Sequence, residues 1–90
     1  DSYDICYTIR NYPGGLHELA MVFKPHLGNR LILEGLRKMR ARFKKIDGIG
    51  PAAYADFLLA IDSEDRQLLI RDAYERVNAF LDELGVEPYE

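Results

Sequence analysis

This 90-residue sequence has little of what most catalytic and metal-binding sites are built from. It contains no tryptophan, one cysteine, two histidines, two serines and one threonine. The lone Cys6 cannot form a disulfide within the chain, which fits a reducing compartment. His17 and His26 are not in a metal-ligand spacing, and no phosphate-cradling Walker or dinucleotide motif is present. The sequence therefore predicts no catalytic residues, no metal and no cofactor, and we expect a protein that is not an enzyme.

Long apolar runs are also missing. No stretch approaches the ~20 apolar residues that span a bilayer, and the first residues carry neither the basic nor the apolar segment of a signal peptide. We therefore expect a cytoplasmic protein that does not bind membranes. Ninety residues suffice for one domain around one modest core.

Charge is unevenly distributed along the chain, although its net value is only −3. Residues 30–45 carry seven bases and one acid, a balance of +6, whereas residues 62–90 carry nine acids and three arginines, a balance of −6. Such asymmetry points to partners of opposite charge. It is equally consistent with a basic helix that is neutralised by the acidic segment of the same chain.

Hydrophobic periodicity predicts a mainly α fold: a small bundle of about four helices with one N-terminal β-strand. Apolar and polar residues alternate over residues 3–10, which is typical of a strand. Helices are predicted over residues 16–24, 30–46, 51–61 and 63–84. A strand over 16–23, forming a hairpin with the first, is the alternative. The N-terminal strand would need a partner, either the tail at 86–89 or a second copy in a two-fold dimer.

The three later helices differ in character. The helix over 30–46 has one apolar stripe and a basic opposite face, and the short helix over 51–61 is apolar nearly all round. Asp62 or Ser63 is expected to cap the acidic last helix. Asp82 and Glu83 lie in its final turn, where the helix dipole disfavours acids, so a basic partner could face them.

The joint between the basic and apolar helices carries the most specific motif. Gly48-Ile49-Gly50-Pro51 follows apolar Phe43 and Ile46. It resembles the helix-hairpin-helix motif, in which backbone amides at the start of the second helix bind a nucleic-acid phosphate. The resemblance covers residues 46–58, and it departs from the family at Tyr54, where alanine is usual. A plain helical hairpin, with a glycine ending one helix and a proline opening the next, remains the alternative.

The resemblance implies a candidate nucleic-acid site on DNA or RNA phosphates. Its residues are the two glycines of the motif and four cations of the basic helix: Gly48, Gly50, Arg37, Arg42, Lys44 and Lys45. Asp47 places an acid beside this site, and Ala52 stands where the family often has lysine. More loosely, a strand followed by helices is similar to ribbon-helix-helix repressors, with Thr8 and Arg10 facing bases.

Protein binding is the second functional hypothesis. The acidic last helix would present Tyr74, Asp82 and Glu83 to the basic surface of another protein, as an adaptor or inhibitor does. The two hypotheses differ in their expected response to nucleic acid. Only the first expects binding that falls steeply as salt increases.

Overall fold

The computed structural model describes residues 2–58 and 63–87, which form five α-helices joined by short turns. The helices are α1 (Ser2–Asn11), α2 (Leu16–Phe23), α3 (Arg30–Arg42), α4 (Ile49–Phe57) and α5 (Ser63–Leu84), and a 3₁₀ turn (Lys24–His26) follows α2. The mainly α class is therefore confirmed, with five helices instead of about four. Residues 59–62 lie outside the described residues, and so do 88–90. They include the predicted end of the apolar helix, the candidate cap Asp62 and most of the tail.

The N-terminal segment is a helix, so the predicted strand over residues 3–10 is wrong. The apolar residues of this segment also fit a helix. Cys6 and Ile9, three positions apart, are 3% and 1% exposed, whereas Tyr7 between them is 54% exposed. The hydroxyl of Thr8 donates to the Asp4 carbonyl at 2.8 Å, one turn back along the same helix. A dimer formed through this segment as a strand loses its basis, since a helix satisfies its own backbone groups and presents no strand edge.

Helix α5 is the centre of the bundle, and it packs against each of the other four α-helices. One side of its 22 residues is buried from Ala73 to Leu84. The rings of Phe80 and of Phe23 on α2 are nearly perpendicular, with centroids 5.4 Å apart. Fully burying one such apolar side chain contributes about 1.5–3 kcal/mol. In the part of the chain that the structure describes, no helix combines the length and apolarity that a bilayer crossing requires.

The end of α5 is closed by a glycine in the left-handed region. Gly85 has a φ of 68°, and the following amide of Val86 donates to the Leu81 carbonyl at 3.0 Å. The Val86 side chain is buried at 3% exposure. This pairing of a glycine cap with a buried residue after it satisfies an end carbonyl and fixes the direction of the chain leaving the helix.

Helix α3 begins where the sequence predicts and ends earlier. The side chain of Asn29 accepts from the amides of Leu31 and Ile32 at 2.9 and 3.2 Å, which caps the helix. The helix ends at Arg42 and not at residue 46. The carbonyl of Phe43 accepts from the side chain of Asn78 at 2.9 Å, and in a longer helix it would accept from a main-chain amide one turn later.

Helices α3 and α4 touch at backbone distance. A Cβ atom added to Gly50 would lie 2.5 Å from the Arg42 carbonyl oxygen and 2.8 Å from a ring carbon of Phe43. Only glycine fits there, because the nearest obstacle is backbone that cannot rotate away. Gly35, in the middle of α3, is the opposite case, since a Cβ there would meet nothing within 4 Å.

Alanine substitutions at these two glycines should change the free energy of unfolding in opposite directions. We expect Gly35→Ala to raise the free energy of unfolding by about 0.5–1 kcal/mol, because alanine is the better helix former and has room. Gly50→Ala is expected to lower it by about 1–3 kcal/mol through overpacking. Urea unfolding followed by circular dichroism measures both. Equal stability of Gly50→Ala and wild type would contradict the close approach of the two helices.

Because the thiol of Cys6 is buried, we expect the protein to lose stability at alkaline pH. Burial raises the pKa of its thiol from 9.0 to about 12. Above pH 9 the unfolded chain ionises first, so stability should fall by about 1 kcal/mol per pH unit up to the folded value. Burial also raises the pKa of Tyr54, so the thiol's share is isolated by comparing Cys6→Ala with wild type. The variant should lose less stability on passing from pH 9 to higher pH in urea titrations, and parallel curves would refute the assignment.

Candidate nucleic-acid interface

The turn between α3 and α4 uses one of the two predicted glycine amides internally. The amide of Gly48 donates to the Lys45 carbonyl at 3.0 Å, and Gly48 then serves as the N-cap of α4. In an α-helix the first amides lack an intrahelical acceptor, and here these belong to Ile49 and Gly50. No side chain caps α4 in the described part of the chain. Ile49 is 79% exposed, whereas Gly50 is buried, so the accessible start of α4 is at Ile49.

A groove of 690 Å³ opens at this joint, and we refer to it as the joint groove. Its lining combines the end of α3, the turn and the start of α4: Ala41, Arg42, Lys44, Lys45, Gly48 and Ile49. Four of the six residues predicted for the nucleic-acid site are thus brought together. Gly50 lies outside this lining, buried against α3. Arg37 does not line the groove either; it is half-buried and takes part in an interaction within the chain.

The joint groove is electropositive. Arg42, Lys44 and Lys45 are exposed, and no carboxylate within residues 2–58 and 63–87 forms an ion pair with any of them. The start of α4 adds the partial positive charge of a helix N-terminus. Asp47, the acid that the sequence places beside the site, lines a different groove with Ile46, Ala52, Gln67 and Ile70.

The acids proposed for protein binding have partners inside the chain. Asp82 accepts a hydrogen bond from the guanidinium of Arg40 on α3. The Glu83 carboxylate lies 2.8 Å from Nδ1 of His17 on α2. These two contacts account for acids in the last turn of α5, because each ties α5 to another helix. Tyr74 is half-buried on the same helix.

Asn78 is the positioning residue that the sequence analysis missed. Its side-chain amide donates to the Phe43 carbonyl at 2.9 Å and to the Tyr74 carbonyl at 2.8 Å. Its Oδ1 accepts from Arg40 at 3.0 Å. One side chain therefore fixes the end of α3 against α5, and with it the joint groove. The only sequence signal is an asparagine inside a long helix, next to the buried stripe, where such residues are disfavoured unless bonded.

The remaining candidate reactive side chains are buried or lie apart in the part of the chain that the structure describes. Cys6 is buried, and no cluster of three or more candidate metal ligands occurs among the residues that the structure describes. Tyr54, at the position where the resembling family usually has alanine, is 1% exposed and belongs to the core. Burial raises the pKa of its phenol, and the charge of Arg10 opposes that shift. At the joint groove, exposed cations and the start of α4 supply charges of the sign that an anion requires.

Loss of Asn78 should destabilise the protein more than loss of a comparable asparagine. We expect Asn78→Ala to lower the free energy of unfolding by about 1–3 kcal/mol, because the Phe43 carbonyl loses the side chain that donates to it and Arg40 loses one of its acceptors. Asn11→Ala is the matched control, since the Asn11 amide donates only to the exposed carbonyl of Tyr7 one turn back. Its effect should stay within about 0.5 kcal/mol. Similar losses for both variants in urea unfolding would remove the special role of Asn78.

Comparison with protein-family models, with curated proteins and with solved structures finds no match to this chain. Function is therefore inferred from the chain's own charges, backbone donors and grooves.

Proposed function

We propose that this protein is a non-catalytic module that binds the phosphate backbone of a nucleic acid in the joint groove. The observation that carries the proposal is the convergence of Arg42, Lys44 and Lys45 with the start of α4 in one 690 Å³ groove. No acid of the described chain neutralises these cations. On the side of α3 that faces α5, by contrast, Arg40 is paired with Asp82.

Backbone amides and flexible cations suit a phosphate in different ways. The first turn of α4 offers amide donors and about half a positive charge at a fixed position. The lysine and arginine side chains add mobile charges that can follow a charged strand. Contacts of this kind go to phosphates and not to base edges, so they give affinity and orientation without reading sequence.

The likeness of residues 46–58 to the helix-hairpin-helix motif supports the same proposal. Gly50 lets the two helices approach to backbone distance, which is the role that a second glycine has in a tight hairpin. The accessible amide is that of Ile49, since the Gly48 amide is bonded to Lys45. We therefore assign the phosphate to the start of α4 at Ile49, between the side chains of Arg42 and Lys45.

No specific observation favours the alternative of an acidic docking helix. The carboxylates of Asp82 and Glu83 are already engaged with Arg40 and His17. A partner that used them would first have to displace those contacts. The basic groove has no such internal competitor in the described residues.

The decisive experiment compares two charge-reversed proteins of equal net charge. Lys44→Glu/Lys45→Glu removes two cations from the joint groove, and Lys24→Glu/Arg30→Glu makes the same change at exposed positions outside it. Binding to labelled single-stranded and duplex DNA and RNA is measured by fluorescence anisotropy over a salt series. Circular dichroism establishes that both variants are folded.

We expect the groove variant to lose binding and the control to keep most of it. The logarithm of wild-type affinity should fall linearly with the logarithm of salt, and residual binding of the groove variant should show a slope smaller by about 1.5. Equal losses in both variants would mean that binding follows net charge and not the groove. No wild-type binding at low salt would refute the proposed function.

A further inference from the structure

A second groove lies along another side of α3, between that helix, α1 and α2. It encloses 490 Å³, and its floor is apolar, with Ile5 from α1, Phe23 from α2 and Met39 from α3 among its lining residues. Volumes of a few hundred Å³ with apolar walls and a few polar groups are typical of binding sites. We refer to it as the α1–α3 groove.

Four residues of α3 follow one another along this groove at helical spacing. Leu31, Gly35, Lys38 and Arg42 are separated by four, three and four positions, so they share one helix face. The row covers about 16 Å, or three turns. Leu31 is 79% exposed at one end, and two cations stand at the other. The groove therefore has an apolar end and a positively charged end.

Gly35 is the unusual residue of this row. A glycine inside a helix is unfavourable relative to alanine. Among the residues that the structure describes nothing requires it here, because an added Cβ would meet no atom within 4 Å. At Gly50, by contrast, glycine is required, since an added Cβ atom would collide with backbone. The space above Gly35 is instead free for the backbone or side chain of another molecule to approach α3 closely.

The charges at the far end are available to that molecule. Lys38 and Arg42 are exposed, and neither has an ion-pair partner among the carboxylates that the structure describes. We propose that the α1–α3 groove binds an amphipathic helical segment of a partner protein. Its apolar side chains lie over Gly35 and beside Leu31, and its carboxylates pair with Lys38 and Arg42. Docking of a helix into an apolar groove by residues one turn apart is a recurrent mode of peptide recognition.

An unpaired nucleic-acid base fits this groove less well than a helix. Bases are held by stacking on aromatic faces and by hydrogen bonds to their edges. The one aromatic ring of the lining, Phe23, is half-buried and already packs against Phe80. The rest of the floor is aliphatic. The proposal is independent of the phosphate site, with which this groove shares only Arg42.

The test uses a displayed library of helical peptides of about 14 residues, long enough to cover three turns with flanks. One face is randomised among Leu, Ile, Met, Phe and Ala, and the flanking positions among Glu, Lys and Gln. We expect selection against the wild-type protein to enrich apolar residues one turn apart with Glu on the flanks. A synthetic copy of an enriched peptide should bind, and its Glu→Lys version should bind at least about tenfold more weakly.

Protein variants then locate the peptide. Gly35→Leu places a side chain in the groove at a position where an added Cβ meets no atom within 4 Å. Leu31→Glu places an acid at the exposed apolar end of the groove. Each should weaken binding about tenfold or more. Lys38→Glu/Arg42→Glu should reverse the preference towards the Lys version of the peptide. Lys24→Glu/Arg30→Glu and Lys44→Glu/Lys45→Glu should leave peptide binding unchanged, which separates this site from the joint groove.

Three outcomes would overturn the proposal. The first is a selection that enriches no apolar and acidic pattern. The second is an enriched peptide whose affinity is the same for wild type and Gly35→Leu. The third is loss of single-stranded oligonucleotide binding in Gly35→Leu with no peptide enrichment, which would assign the groove to an unpaired base.

Discussion

The contact between Gly50 and the end of α3 is the constraint on which the candidate site depends. Because no side-chain atom fits between Gly50 and the Arg42 carbonyl, the first turn of α4 lies directly against the last turn of α3. Asn78 holds that end of α3 from the other side, through the Phe43 carbonyl. The joint groove is the space that remains outside these contacts of Gly50 and Asn78 with the end of α3. Its cations and helix start are positioned by packing and by one hydrogen-bonding side chain, and not by contacts among the charges themselves.

Cations of α3 and of the turn that follows it lie in different environments. Arg40 faces α5, where Asp82 and Asn78 satisfy its donors. Lys44 and Lys45 face the joint groove, Lys38 faces the α1–α3 groove, and Arg42 borders both. The opposite charges of residues 30–45 and 62–90 therefore neutralise each other only in part. What remains is a positive surface on a protein of net charge −3, which is a local property that overall composition hides.

The sequence predicted the helical class and the turn between α3 and α4. Its predictions were wrong where contacts between residues far apart in the chain determine the structure. Apolar residues one turn apart predicted α3 and α5 because burial on one side is a local pattern. The segment at residues 3–10 satisfies both the strand and the helix period, and only packing of Cys6 and Ile9 on the bundle selects the helix. The early end of α3 depends on Asn78, thirty-five residues away. Likewise, the partners of Asp82 and Glu83 lie on helices that no local pattern connects to α5.

The central position of α5 has a consequence for synthesis of the chain. The helix that packs against each of α1, α2, α3 and α4 is also synthesised after them. Until α5 emerges, the earlier helices lack the buried side chains that α5 adds to the shared core, including Val77, Phe80 and Leu81. The bundle therefore completes its core only after translation of α5, and not progressively from the N-terminus. A nascent chain halted before Val77 would leave exposed the apolar surface that α5 covers in the complete bundle, which makes it a substrate for chaperones or proteases.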